Sequence, residues 1–263
     1  MLDPTTLATQ TYANADKGVA TMPILHGGQL FLSGLKLALS PKLRRYIIVP
    51  ATINILTFGV TLMLVVIPLA GDAGDWLQSN LPNWLGWLQG TLLVLAYLTL
   101  GLAGFWLSSL LVNLIAAPFL GQLAQATWAL SKPGAVTPEG PRLLASIGPS
   151  VMRELQKMSY HLPRLLGLLL LSLIPGLNAL MPLVWLGFSA WLMAVQFADY
   201  ASENQHHRFN VTLQRLARAR GRALGFGACA SVTLAIPFLN FLAIPAAVVG
   251  GTLLWQSITE DGT

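Results

Sequence analysis

The stretch Leu165-Leu-Gly-Leu-Leu-Leu-Leu-Ser-Leu-Ile-Pro-Gly-Leu-Asn-Ala-Leu-Met-Pro-Leu-Val-Trp-Leu-Gly-Phe-Ser-Ala-Trp-Leu-Met-Ala-Val-Gln-Phe-Ala198 contains no Asp, Glu, Lys, Arg or His. Apolar runs this long read as membrane-embedded. Its centre, Ile174-Pro-Gly-Leu-Asn-Ala-Leu-Met-Pro182, interrupts the run, because proline lacks a backbone donor and crowds the preceding turn. The pieces on either side hold about 10–17 residues, mostly short of the roughly 20 that cross a bilayer core.

Three more charge-free runs follow the same logic: Tyr46–Gly71, Trp76–Ser131 and Ala223–Thr259. Overall 54% of the 263 residues are hydrophobic and 10% are charged. The charges therefore crowd into the other segments, at the ordinary density of a wet surface. This pattern excludes a soluble enzyme, a disordered chain and a nucleic-acid binder. The single cysteine, Cys229, excludes an internal disulfide and a cysteine-based metal cluster. No basic region leads into an apolar core at the start of the chain, so a cleaved secretion signal is not expected.

Tyr46–Gly71 fits one tilted span. Trp76–Ser131 is too long for a single crossing, and Asn113-Leu-Ile-Ala-Ala-Pro118 supplies a break. A span from about Pro82 to Val112, continued as a bent helix to about Leu130, is expected. Basic residues then orient the chain. Lys36, Lys42, Arg44 and Arg45 precede the first span, while the expected loop Asp72–Asp75 has two acids and no base. Arg153, Lys157 and Arg164 follow the second run, and Arg208, Arg215, Arg218, Arg220 and Arg222 follow the third. The positive-inside rule places all three basic segments in the cytoplasm, so the third run must begin and end on one face.

The fourth run has a matching break, Ile236-Pro-Phe-Leu-Asn-Phe-Leu-Ala-Ile-Pro245. Two re-entrant helical hairpins are the economical reading; four short full spans are the alternative. The hairpins form an internal repeat, Ile-Pro-x-Leu-Asn-x-Leu, with Gly187 and Gly250 each five residues past the second proline. Interrupted apolar repeats are a feature of transporters. Asn178 and Asn240 then either cap the second helix of each hairpin or line a path; the two roles are compatible.

The expected fold class is an all-α integral membrane protein with two long spanning helices, two re-entrant hairpins and short amphipathic helices. It forms one membrane domain over 1–263: a first span at about 46–71, a second at 82–130, a hairpin at 160–199, a basic amphipathic helix at 205–222 and a hairpin at 223–258.

Chemistry inside the membrane needs titratable or nucleophilic groups. The four runs hold no acid, base or histidine, and no base accompanies their serines and threonines. No catalytic residue, metal site or cofactor is expected. His206 and His207 are adjacent and share no helix face, which argues against a metal pair. Ser33, Gly34, Leu35 and Lys36 combine small residues with a cation: either backbone N–H groups at a helix start hold an anion, or Lys36 snorkels from an interfacial helix. The Arg208–Arg222 stripe is either a basic helix on the membrane surface or an anion-attracting vestibule. Arg153, Glu154, Asn113, Asn178 and Asn240 are candidate path or gate residues, with Glu154 and Lys157 spaced for a helical ion pair.

The ordered set Gly34-Leu-Lys, Arg44-Arg45, Asn113-Leu-Ile-Ala-Ala-Pro-Phe119, Arg153-Glu154, Tyr160-x-x-Pro-Arg164, Ile174-Pro-Gly-Leu-Asn178, Phe188-Ser-Ala-Trp191, Gln196-x-x-Asp-Tyr200 and Ile236-Pro-Phe-Leu-Asn240 resembles the CysZ-type sulfate transporters of the EI24-like group. The resemblance implies sulfate uptake across a bacterial inner membrane for cysteine synthesis. The basic segments put both termini in the cytoplasm. The resemblance further implies contact with sulfate (sulfite or a similar oxyanion as further candidates), membrane lipid and a homo-oligomer; no nucleic acid is expected from the charge pattern. It also places the anion site at Gly34, Leu35 and Lys36, next to Ser33, where lysine replaces the family's arginine and leaves a point charge without bidentate geometry. A membrane scaffold that transports nothing is the alternative function.

Overall fold

The computed structural model describes residues 22–132, 143–177, 179–236 and 240–260. Every regular element among them is helical. The chain is an all-α integral membrane protein. Helix α1 is Pro23–Ala38. Helix α2, Arg45–Thr61, passes through a π-helical turn, Leu62–Val66, into α3, Ile67–Asn80. Helix α4 is Gly86–Ser131, α5 Leu143–Ser172, α6 Met181–Asn204, α7 Phe209–Arg218, α8 Arg220–Leu234 and α9 Asn240–Glu260. Among the described residues, four stretches are long and apolar enough to cross a membrane: Ile55–Leu77, Gly86–Gly104, Met181–Asn204 and Leu242–Glu260.

The chain forms two compact units, Ile48–Ala116 and the remainder. The first holds most of the α2–α3 helix and the first part of α4. Its helices present large apolar side chains outward, among them Ile55, Leu56, Met63, Leu64, Leu95, Leu98 and Leu102, as a lipid-facing surface requires. Asp72 and Asp75 lie within α3, so the expected loop at 72–75 is helical and the turn falls at Leu81–Leu85. Acids do not break a helix; Leu81, in an extended conformation before Pro82, does. Trp76, Trp84 and Trp87 stand exposed around this turn, the position at which tryptophans anchor a chain to the headgroup region.

The second unit is built on α1, α6, α8 and α9. Helix α9 is its centre. Within its apolar window 83% of residues are buried, against 28% in that of Met181–Asn204. Close helix approach makes this possible. A Cβ on Gly34 would strike the backbone of Gly250, at 2.5 Å from its Cα, and one on Gly227 would overlap the Ala190 carbonyl. Small residues at such crossings let membrane helices gain dispersion contacts along their backbones. The two repeats thus sit in different surroundings: Gly250 packs against α1, whereas nothing lies near Gly187.

Helices α5 and α6 form an antiparallel hairpin. From its tip to its base, the Trp185 indole donates to Ser172 (3.2 Å), the Trp191 indole to the Tyr160 hydroxyl (3.1 Å), Gln196 to Glu154 (3.4 Å) and Arg153 to Asp199. The tip contains Ile174-Pro-Gly-Leu177, where the Leu177 N–H reaches the Ile174 carbonyl and Gly176 has φ +94°. Proline followed by a left-handed residue is the signature of a type II turn, and glycine takes that conformation without a Cβ clash. Asn178 lies outside the described residues. The arms outrun the charge-free pieces because α6 continues helically through Asp199 and Glu203 to Asn204.

The expected helix at 205–222 is divided at Ala219, where α7 ends and α8 begins. The apolar face of α7 is already used. Phe209, Thr212 and Leu216 are buried in the protein, so α7 does not rest that face on lipid.

Candidate functional site

Helix α5 has two unlike faces. Met152, Leu155, Met158, Leu162, Leu166 and Leu169 point outward at helical spacing. Arg153, Lys157 and Tyr160 point inward, against α6 and α7. The result is a buried ionic cluster at the base of the first hairpin.

Arg153 meets Asp199 with two nitrogens, Nε to Oδ2 at 2.9 Å and one terminal nitrogen to Oδ1 at 2.6 Å. Lys157 Nζ lies 2.9 Å from Glu154 Oε1 and 3.4 Å from Asp199 Oδ2. The Thr212 hydroxyl of α7 lies 2.9 Å from Asp199 Oδ1 and 2.7 Å from the Ser202 hydroxyl. The Tyr200 ring lies 4.5 Å from the Lys157 ammonium, and Phe209 lies under the Arg153 guanidinium. Asp199 is wholly buried and Lys157 is 1% exposed. Burial works against the Lys157 charge, but Tyr200, Asp199 and Glu154 outweigh it and hold its pKa above the ordinary lysine value. Arg153, Lys157 and Asp199 are thus buried together, with the partly exposed Glu154 at the rim, and mutual pairing is what lets such buried charges persist.

Of the sequence candidates, Arg153 and Glu154 enter this cluster. Its central acid, Asp199, and its α7 partner, Thr212, were not among them. The available signal was the stripe Gln196, Asp199, Tyr200, Glu203, at i, i+3, i+4 and i+7, facing Arg153 and Lys157 at i and i+4.

The structure does not join Ser33, Gly34, Leu35 and Lys36 to a helix start. They lie in the C-terminal half of α1, where Lys36 belongs to the last turn. Backbone N–H groups there are spent on the helix, and the dipole's negative end is near. Gly34 faces Gly250 rather than open space. The backbone part of the expected anion site is therefore not met; the exposed Lys36 side chain remains available. Asn113 lies within α4 and Asn240 opens α9.

A second cationic feature gathers at the α7–α8 junction. Arg215 sits over the Trp255 ring (5.1 Å), and Arg222 donates to the Ser257 carbonyl (3.4 Å). Arg218 and Arg220 are exposed. No acid occurs between Glu203 and Glu260, and Glu260 pairs with Lys132.

Residues 30–245 match the family model described as EI24, sulfate transporter CysZ/etoposide-induced protein 2.4. The chain belongs to the EI24 family. Curated relatives named sulfate transporter CysZ agree along nearly the whole length. The one from Pseudomonas paraeruginosa (strain PA7) is 36% identical over 243 residues, covering 92% of this chain and 98% of that relative. The relative from Pectobacterium atrosepticum is 37% identical over 234 residues, covering 87% and 84%. That from Vibrio atlanticus is 36% identical over 240 residues, covering 88% and 92%. The EI24 match takes in the second half of α1, all of α2 to α8 and the start of α9, so the ionic cluster, Lys36 and the α7–α8 junction all lie within it.

Proposed function

We propose that this protein carries sulfate across the bacterial inner membrane for assimilation into cysteine. The observation that carries the reading is near-full-length similarity to several relatives named sulfate transporter CysZ. The all-helical fold and the absence of titratable residues from the four apolar runs agree with it. A dianion passing hydroxyls, amides and helix ends is not trapped by an opposite charge. The protein is then not an enzyme, and sulfite or another tetrahedral or pyramidal oxyanion is a competitor for the same route.

In this reading both termini are cytoplasmic, the two hairpins enter the membrane partway, and several copies complete the path. The supports are the positive-inside distribution and the broken runs. Lys36 acts as a point charge that draws sulfate toward α1. Arg153 and Glu154 act as a gate through their cluster: sulfate competes with Asp199 for Arg153 and Lys157, and withdrawal of the anion restores the closed pairs. Asn113, Asn178 and Asn240 supply neutral amides along the route. Sulfate-dependent thermal stabilisation of the purified protein tests the binding step. Stabilisation by sulfate but not chloride at equal ionic strength is expected, reduced in Lys36→Ala. An identical response to both salts overturns the reading.

A further inference from the structure

Helices α1 and α8 lie parallel and in contact from their first turns. A Cβ on Gly221 would lie 2.8 Å from the Pro23 side chain, one on Gly225 would strike Ile24, and one on Gly28 would meet Cys229 Sγ at 3.2 Å. The start of α1 is thereby set beside the α7–α8 break. Met22, Ile24 and Leu25 are more than half exposed there, next to the exposed Arg218 and Arg220. The Arg220 Nε donates to the Ala217 carbonyl (3.1 Å), which braces its stem. The apolar face of α7 is consumed by the core, so α7 alone offers charge without an apolar partner. The first turn of α1 supplies the missing half.

We propose that this composite surface, Met22, Ile24 and Leu25 with Arg218 and Arg220, docks on anionic phospholipid. Guanidinium groups pair with phosphate oxygens through directed N–H donors, while the three apolar side chains enter the boundary between headgroups and acyl chains. Charge complementarity selects this occupant: Arg218 and Arg220 are exposed on helices that carry no acid, and, with the basic segments cytoplasmic as in the proposed topology, they face an anionic leaflet. The proposal does not depend on sulfate transport.

The test titrates purified full-length protein in neutral detergent with short-chain phosphatidylglycerol or phosphatidylcholine of equal chain length, and reads the melting temperature. Phosphatidylglycerol is expected to raise it further than phosphatidylcholine. In Arg218→Gln/Arg220→Gln the phosphatidylglycerol midpoint moves to about thirtyfold higher lipid, with the melting temperature in phosphatidylcholine unchanged. Met22→Ser/Ile24→Ser/Leu25→Ser weakens the response to both lipids. Equal responses of the wild type to the two lipids overturn the proposal, as does an undiminished phosphatidylglycerol effect in the arginine variant. Inorganic phosphate or sulfate that reproduces the full phosphatidylglycerol effect also overturns it, because the site then takes a free anion.

Discussion

Replacing Asp199 by asparagine removes the acid at the centre of the buried cluster while nearly preserving shape. Arg153 loses the charge on both oxygens that it meets at 2.9 and 2.6 Å, and Lys157 loses one of its two carboxylates. Neither cation can turn to water: their side chains are 10% and 2% exposed. Removing one partner from a buried pair costs about 3–5 kcal/mol, because the remaining charge is left uncompensated. For a chain of this size, each kcal/mol lowers the melting temperature by about 2–4 °C. The expected drop is therefore about 6–20 °C, read by thermal unfolding in detergent. Glu154 is one-third exposed, so Glu154→Gln should cost under about 1 kcal/mol. Adding Arg153→Gln to Asp199→Asn should recover part of the loss. An Asp199→Asn protein as stable as wild type, or a double variant whose loss is the sum of the single losses, would refute the view that these charges sustain each other.

Other consequences are equally direct. Because the folded pKa of Lys157 is raised, its stabilisation is fully present below the ordinary lysine pKa of about 10.4 and is lost as pH rises through the folded value. The melting-temperature difference between wild type and Lys157→Gln should thus shrink as pH rises above about 10; a difference that holds undiminished there would contradict this. Gly34→Leu should destabilise the α1–α9 crossing by at least about 1–3 kcal/mol, and a variant that melts like wild type would show that the crossing tolerates a side chain. Ser131 and Gln256 exchange buried hydrogen bonds of 3.0 and 2.6 Å, so Ser131→Ala should cost about 1–3 kcal/mol by stranding the amide, again measured by thermal unfolding.

The membrane character of the fold was open in the sequence because charge avoidance is a property of composition along the chain. The Pro-Gly turn at 174–177 was legible for the same reason: proline and glycine act locally. Surroundings were not legible. Gly187 and Gly250 hold equivalent places in the repeat, yet only Gly250 meets another backbone, since that depends on α1 arriving from two hundred residues away. Helix α7 shows a related effect. Its apolar stripe predicts burial correctly but does not say whether protein or lipid receives it, and here protein does. Arg153 and Glu154 were recognisable as unusual, whereas Asp199 stands at the edge of an apolar run and gains its role only when α5 folds back on α6. Ser33–Lys36 is the opposite case. The family resemblance put an anion site there, but the helix sets the segment toward its carbonyl end.

Sulfate movement through the protein is measured by radiolabelled sulfate uptake into proteoliposomes. Time-dependent uptake above protein-free vesicles is expected, competed by unlabelled sulfate and reduced in Lys36→Ala. Uptake no greater than that of protein-free vesicles, from protein shown to be folded by its melting transition, would contradict it.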